Sequence, residues 1–447
     1  MRNTNRALAG LLCGVMTLAL AACGAAPSDA GAPGIPGETS GASGEPAKAD
    51  PSEQLPPGAD PIAWFGERLF PLVNQDSADA VGPVYSPLSV YLALGMAADG
   101  ARGATADQFA QVMGGDREAV NFEAAALLKD YIQFEGTPGA EPLGEDGEPV
   151  DGPTIRVADS VWVDEGFEVL EDYARDLKEL YQSEAHQVDL QLPASVDQIN
   201  EWVSERTEGL IDQILSQDDT DALVVFLANA LYFNGSWQHT ADPGATAPAD
   251  FTTAEGQTVQ ADMMTLDESS AGHLQLDDGT EGALLNYTGG RFAMLAVMPG
   301  DGIDSVDWDG QTILDWLGAL DIEPAGGLGV KLPKWEADSG PLDLVPALQA
   351  AGLEDAFDGQ KADLSGIGAG DLYISDVSHR AVVKVDERGT EAAAATSVGV
   401  RDTALALPAR TVEFNRPFVY SIIDTELNVP LFLGVVGNPT AQPQGRP

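Results

Sequence analysis

The chain has 447 residues, 71 of them Asp or Glu against 22 Lys or Arg, for a net charge of −49. Phosphate backbones and anionic headgroups repel such a chain, which excludes a nucleic-acid reader. Its 44% hydrophobic and 7% aromatic content excludes a disordered acidic chain and calls for a large core.

The N-terminus reads as a secretory signal. Arg2 and Arg6 precede an apolar run that is short for a membrane span, and small residues lead up to Cys23. Leu20-Ala21-Ala22-Cys23 resembles the bacterial lipobox, which implies that residues 1–22 are removed and that Cys23 becomes the lipidated first residue. The expected location is therefore a lipid anchor at the cell surface or envelope, reached by secretion across the cytoplasmic membrane. Cys13 is the second of only two cysteines and lies in the removed segment, so no disulfide framework forms. Maturation takes 22 basic residues to 20 and removes no acid, so the net charge goes from −49 to −51.

After Cys23, residues up to 58 are rich in Gly, Pro, Ala and Ser and carry almost no large apolar side chain. Burial cannot offset their ordering entropy. A flexible linker of about 35 residues spans roughly 30 to 35 Å. Length alone suggests about two to four domains. No second linker and no internal repeat follows, however, so the expectation is a single domain over 59–440 with a disordered tail at 441–447.

Within that body, Ile62, Phe65, Leu69 and Phe70 recur at helical spacing. Leu88 to Ala98 is apolar nearly all round, the pattern of a buried helix. Thr105 and Gln108 fit a capping box ahead of Phe109 and Val112. The period then changes. Ala283 to Tyr287, Phe292 to Met298, Val382 to Val385 and Phe418 to Ile423 read as strands. Helices first and strands later predict an α+β fold.

Catalytic patterns are missing. His186, His239, His273 and His379 form no close ligand pair, and there is no G-x-S-x-G elbow, phosphate loop or G-x-G-x-x-G. Asp304, Asp307 and Asp309 with Gly310 make an acidic loop whose spacing misses the EF-hand pattern and suits a solvated turn. The chain is not expected to be an enzyme, nor to use a metal or cofactor.

The informative stretch begins at Glu387. From Thr390 onward, alternate residues form two sets. Thr390, Ala392, Ala394, Thr396, Val398 and Val400 are all small or apolar, while Glu391, Ala393, Ala395, Ser397, Gly399 and Arg401 are small or polar. With a period of two, this segment fits a sheet that has one face on a core. By local propensity alone, an alanine-rich surface helix fits as well.

From Tyr85-Ser86-Pro87-Leu88-Ser89-Val90 through Asn229-Ala230-Leu231-Tyr232-Phe233 to Leu431-Phe432-Leu433-Gly434, several ordered motifs over about 380 residues resemble the serpin family. Tyr85-Ser86-Pro87-Leu88-Ser89-Val90 resembles its helix B motif, and Asn229-Ala230-Leu231-Tyr232-Phe233-Asn234-Gly235-Ser236-Trp237 its central strand motif, with Asn234 where Lys is usual. Leu332-Pro333-Lys334, Glu387-Arg388-Gly389-Thr390-Glu391-Ala392, Phe414-Asn415-Arg416-Pro417-Phe418 and Leu431-Phe432-Leu433-Gly434 follow in the family's order. Gly82 departs from the Asn often found there, which predicts a missing local hydrogen bond.

The resemblance implies a serpin fold: N-terminal helices, a large mixed central sheet, further sheets and an exposed reactive-centre loop. It implies a suicide inhibitor of serine proteases, possible for cysteine proteases too, whose loop is cut and then inserts into the sheet. By similarity Glu387, Gly389, Thr390, Glu391, Ala392, Ala393, Ala394, Ala395 and Thr396 form the hinge that enters first. Ser86, Ser89, Asn229 and His379 fall where the family guards sheet opening, and Trp237, Lys334 and Glu387 where the loop enters, the last two as an ion pair. Counting from the hinge puts the scissile bond at Thr403-Ala404, with Arg401 and Asp402 as alternatives. Small flanking residues suit an elastase-like or subtilisin-like target, Arg401 a trypsin-like one and Asp402 an Asp-specific one. A small uncharged Thr390 argues against the competing reading, a non-inhibitory serpin acting as a binding or chaperone module. The expected state is a monomer at risk of polymerisation, and so few basic residues disfavour a heparin-type cofactor.

Overall fold

Asp60 accepts hydrogen bonds from the backbone N–H groups of Ile62 (3.0 Å) and Ala63 (2.8 Å) and so starts helix α1 (Pro61–Val73), whose buried face holds Ile62, Phe65, Leu69 and Phe70. The computed structural model describes residues 54–74, 82, 84–135, 152–217, 223–268, 272–322, 324, 327–390 and 410–442. Strand β1 (Val84–Tyr85) leads into helix α2 (Pro87–Gly100), which is buried on every side. At Gly95 a Cβ would lie 2.8 Å from the Tyr181 hydroxyl, and at Gly100 only 2.1 Å from Ile367, so neighbouring elements press on α2 from several directions.

Helix α3 (Gly103–Met113) corrects the capping-box reading. It starts at an Arg102 N-cap without a side-chain bond, and Thr105 lies inside the first turn. The Thr105 hydroxyl instead accepts the N–H of Asp363 (3.0 Å), and Gln108 accepts those of Glu354 and Asp355 (2.9 and 2.8 Å). Distant partners take the polar groups that local pairing would have used. Helix α4 (Arg117–Tyr131) is capped by Asp116.

Strand β2 (Thr154–Asp164), helix α5 (Glu171–Leu180), strand β3 (Ala185–Val188) and helix α6 (Pro193–Arg206) lead to β4 (Val225–Ser236). Strands β5 (Ala247–Thr252), β6 (Thr258–Glu268), β7 (Gly272–Gln275), β8 (Glu281–Asn286) and β9 (Phe292–Met298) follow. Next come α7 (Thr312–Gly318), β10 (Leu328–Pro333), β11 (Trp335–Asp338), β12 (Leu342–Asp343) and α8 (Val345–Ala350). The chain closes through β13 (Ile374–Arg380), β14 (Val382–Val385), β15 (Gly389–Thr390), β16 (Arg410–Glu413), β17 (Phe418–Asp424) and β18 (Val429–Val436). These strands build three sheets: a six-stranded one in the order β1-β18-β17-β9-β8-β7, a four-stranded one, β16-β10-β6-β5, and an eight-stranded mixed one centred on β4. The fold is α+β, as the change of period predicted.

Strand β4 alternates strictly. Val225, Leu227, Leu231 and Phe233 join the main core with α2, while Phe226, Ala228 and Ala230 join a second cluster with Val196, Ile199 and Val203 of α6. The eight-stranded sheet is therefore covered on both faces. One edge of β4 pairs with β2 along its length. On the other edge, β13 runs parallel from Val225 to Ala230, and β15 pairs only at Gly235 and Ser236. Among the described residues no strand pairs with 231–234 on that edge. The sheet thus forks, with β14 bearing away from β4 and the two residues of β15 filling the top of the gap.

Gly82 has φ +88°, and a Cβ there would meet the Val435 carbonyl oxygen at 2.6 Å. The backbone approach requires glycine, which accounts for the departure from Asn. Asn234 donates to the Tyr232 hydroxyl at 3.2 Å. Asp309 accepts the N–H of Gln311 (2.9 Å), so part of the acidic loop serves as a local turn. Among the described residues no helix is long and apolar enough to cross a membrane.

Candidate functional site

Two polar constellations flank the fork. At its open end Glu387 reaches Lys334 (Nζ to Oε2, 3.0 Å) and accepts from the Thr246 hydroxyl (2.8 Å). Burial pushes the Glu387 carboxyl up, but its own backbone N–H, Lys334 and Thr246 outweigh burial and leave it below its ordinary value. Backbone bonds fix the same turn: Trp237 N–H donates to the Arg388 carbonyl and Ala241 N–H to that of Glu387, both at 2.8 Å. The Trp237 indole N–H donates to the Asp386 carbonyl at 3.0 Å.

Strand β15 sits directly beyond that turn. Gly389 pairs with Ser236 and Thr390 with Gly235, while Thr390 also pairs with Val385 of β14. A Cβ on Gly389 would lie 2.0 Å from the Gly235 carbonyl oxygen, so only glycine admits this approach. The Thr390 side chain is 2% exposed and its hydroxyl lies 2.6 Å from that of Tyr287.

At the closed end His379 of β13 is wholly buried. Its Nε2 accepts the backbone N–H of Ser86 (3.0 Å), so the ring proton sits on Nδ1 and faces Asn229. Burial drives its pKa down to about 3, against a partial rise from the Asn229 backbone, and the ring stays neutral. Asn229 donates to the Ser378 carbonyl (3.1 Å), and the Ser86 hydroxyl accepts Ser89 N–H (3.1 Å) to cap α2. The Ser89 hydroxyl donates to Asp159 Oδ1 of β2 at 2.7 Å. Burial pushes the Asp159 carboxyl well above its usual range, Ser89 offsetting only part of this, and the second carboxyl oxygen has no hydrogen-bond partner among the described residues. A neutral acid fits that site. The cluster ties α2 to three adjacent strands where β4 and β13 first pair.

The structure thus brings Trp237, Lys334, Glu387, Gly389 and Thr390 together at one end of the gap, and Ser86, Ser89, Asn229 and His379 at the other. Glu391, Ala392, Ala393, Ala394, Ala395, Thr396, Arg401, Asp402, Thr403, Ala404 and Cys23, with the signal and the linker up to residue 53, lie outside the described residues. Three residues of these constellations escaped the sequence reading: Thr246, Asp159 and Tyr287. Asp159 alone had a sequence signal, an acid inside the otherwise apolar and small run Val157-Ala158-Asp159-Ser160-Val161-Trp162. Of the remaining histidines, His186 stacks on Trp162, His273 faces Glu281 and Arg410, and half-buried His239 lies between Trp237 and Ala241 in the chain, with no hydrogen bond to the site among the described residues.

Comparison with known proteins agrees with this geometry. The model of the family described as serpin (serine protease inhibitor) matches residues 62–439. The chain is 33% identical over 390 residues to Serpin-Z7 of Hordeum vulgare, covering 84% of this chain and 94% of that one. It is 31% identical over 379 residues to Iripin-8 of Ixodes ricinus, covering 80% and 89%. Among solved structures, the native state of the thermophilic serpin tengpin superposes with a TM-score of 0.72 at 28% identity, covering 88% of this chain and 97% of that one. Thyroxine-binding globulin in complex with thyroxine superposes at 0.71 with 22% identity, covering 85% and 99%, which shows the fold alone.

Proposed function

Because the chain belongs to the serpin family of protease inhibitors, we propose that it traps a serine protease by offering residues 391–409 as bait and then inserting the cut loop into its eight-stranded sheet. One observation carries this reading: Gly389 and Thr390 already stand as a strand between β14 and β4, just above 231–234, where no described strand pairs on that edge. Continuing the register of Thr390 with Gly235 sets Ala392, Ala394, Thr396, Val398 and Val400 on the core face, opposite Phe233, Leu231, Asn229, Leu227 and Val225. All five are small or apolar, so each step buries a side chain that fits without a desolvated charge.

The chemistry belongs to the protease. Its serine attacks the Thr403 carbonyl, the Thr403-Ala404 peptide bond breaks, and the amine of Ala404 leaves while Thr403 remains as an ester on the enzyme. Insertion then competes with hydrolysis of that ester. To proceed past Leu231, the incoming strand must displace β13 from Val225–Ala230, so His379 and Asn229 must part. Small residues around the bond favour an elastase-like or subtilisin-like target, with Arg401 the basis for a trypsin-like one. A lipid on Cys23 and the following linker would hold this inhibitor at the cell envelope.

The test mixes the full chain with subtilisin, pancreatic elastase and trypsin and looks for a denaturant-resistant covalent complex. The small fragment released should begin at Ala404. Complete cleavage by all three without a complex would leave a substrate or a non-inhibitory binding serpin.

A further inference from the structure

Tyr287 lies one residue beyond the end of β8, a strand of the six-stranded sheet, yet its hydroxyl lies 2.6 Å from that of Thr390, which stands in the eight-stranded one. Its ring is pinned. It stacks on Trp237 (centroids 4.7 Å apart, 10° between planes) and meets Phe233 edge-on (4.9 Å). The Tyr287 and Trp237 backbones are also bridged. Burial raises the phenol pKa, which keeps its proton on and lets it donate as well as accept. A ring that cannot turn presents its hydroxyl at one fixed point, and β-branched Thr390 has one stiff torsion with which to meet it.

We propose that Tyr287 is the latch that sets the resting position of the reactive loop. It is a positioning residue that keeps the hinge docked by two residues and so controls how readily the gap accepts a strand. This rests on the insertion reading above. The hydroxyl pair contributes little net energy compared with the cost of leaving one member buried alone. Removing either hydroxyl should therefore expel Thr390, whereas removing both should let an apolar pair dock again.

The experiment measures uptake of a labelled synthetic peptide with the sequence of residues 390–400 by the full chain. Five proteins are compared: wild type, Tyr287→Phe, Thr390→Val, Thr390→Ser and the Tyr287→Phe/Thr390→Val double variant. Both ring stacks survive in Tyr287→Phe, and Thr390→Val keeps the side-chain shape. Each of these single variants should take up peptide about five-fold faster, the low end of the cost of leaving one buried hydroxyl unpaired. Thr390→Ser, which keeps the hydroxyl, and the double variant should return to near the wild-type rate. Equal rates for all five, or a double variant faster than both singles, would overturn the latch. No uptake by any protein would overturn the latch and insertion together. Peptide uptake needs no protease, so failure of wild type to trap an enzyme would strike the inhibitor reading and leave the latch to be judged on these rates.

Discussion

His379 accepts the backbone N–H of Ser86 on Nε2, at 3.0 Å, and a ring that serves as acceptor there cannot also carry a proton there. Protonation must break the tie between β13 and the start of α2. The folded pKa is about 3 against an ordinary 6.5, so the contribution is fully present above about pH 6.5 and falls away as pH drops toward 3. At pH 5 the loss is about 2 kcal/mol. Thermal unfolding at matched scan rates should show wild type losing more stability between pH 7 and pH 5 than His379→Gln, with polymers on native gels growing in parallel. Identical pH slopes would remove His379 as the cause.

Glu67 should behave in the opposite sense. Its carboxylate, buried in α1, accepts the N–H groups of Thr312 (2.8 Å) and Ile313 (2.9 Å) at the start of α7. Burial outweighs both bonds and raises the pKa to about 7 from 4.5. Stability is then complete below about pH 4.5 and declines toward pH 7, by about 3 kcal/mol. Glu67→Gln, which does not titrate, should flatten that decline in the same unfolding series even if it lowers stability at every pH.

The Glu387–Lys334 pair stands where the hinge turns into the sheet, with Glu387 nearly buried and Lys334 about one-third exposed. A double-mutant cycle with Glu387→Gln and Lys334→Met should return a coupling of about 1 kcal/mol, larger at low salt. The single Glu387→Gln change should also speed polymer formation on mild heating, because the turn that fills the top of the gap loosens. Target preference should not change.

Gly82 offers a test in which restoring the family's frequent residue does harm. Asn tolerates positive φ, but its Cβ would still meet the Val435 carbonyl oxygen at 2.6 Å. Gly82→Asn should destabilise the protein by about 1–3 kcal/mol. A gain in unfolding temperature would show that a hydrogen bond was missing after all.

Much of this site was legible because strand period and family motif spacing agree on it. Phe292 to Met298 and Val382 to Val385 are strands with the expected bounds, and Thr390 proved to be buried. What stayed hidden depends on contacts between distant segments. Thr105 and Gln108 looked like partners for each other until residues 354, 355 and 363 proved to be bound there instead. Nothing within its own segment points Tyr287 at a residue 103 positions away, because that meeting is made only where the end of β8 comes up against β15. Gly82 was visible as a departure, but its reason lies in the approach of Val435.

Insertion of the cleaved loop is the claim on which the rest depends, and heat measures it directly. A fold held in a kinetic trap, with no described strand beside 231–234 on that edge of β4, should gain a strand once the loop is cut. The full chain, nicked in the loop by a protease it does not trap, should unfold at a sharply higher temperature than the intact protein. An unchanged transition after complete cleavage would contradict insertion.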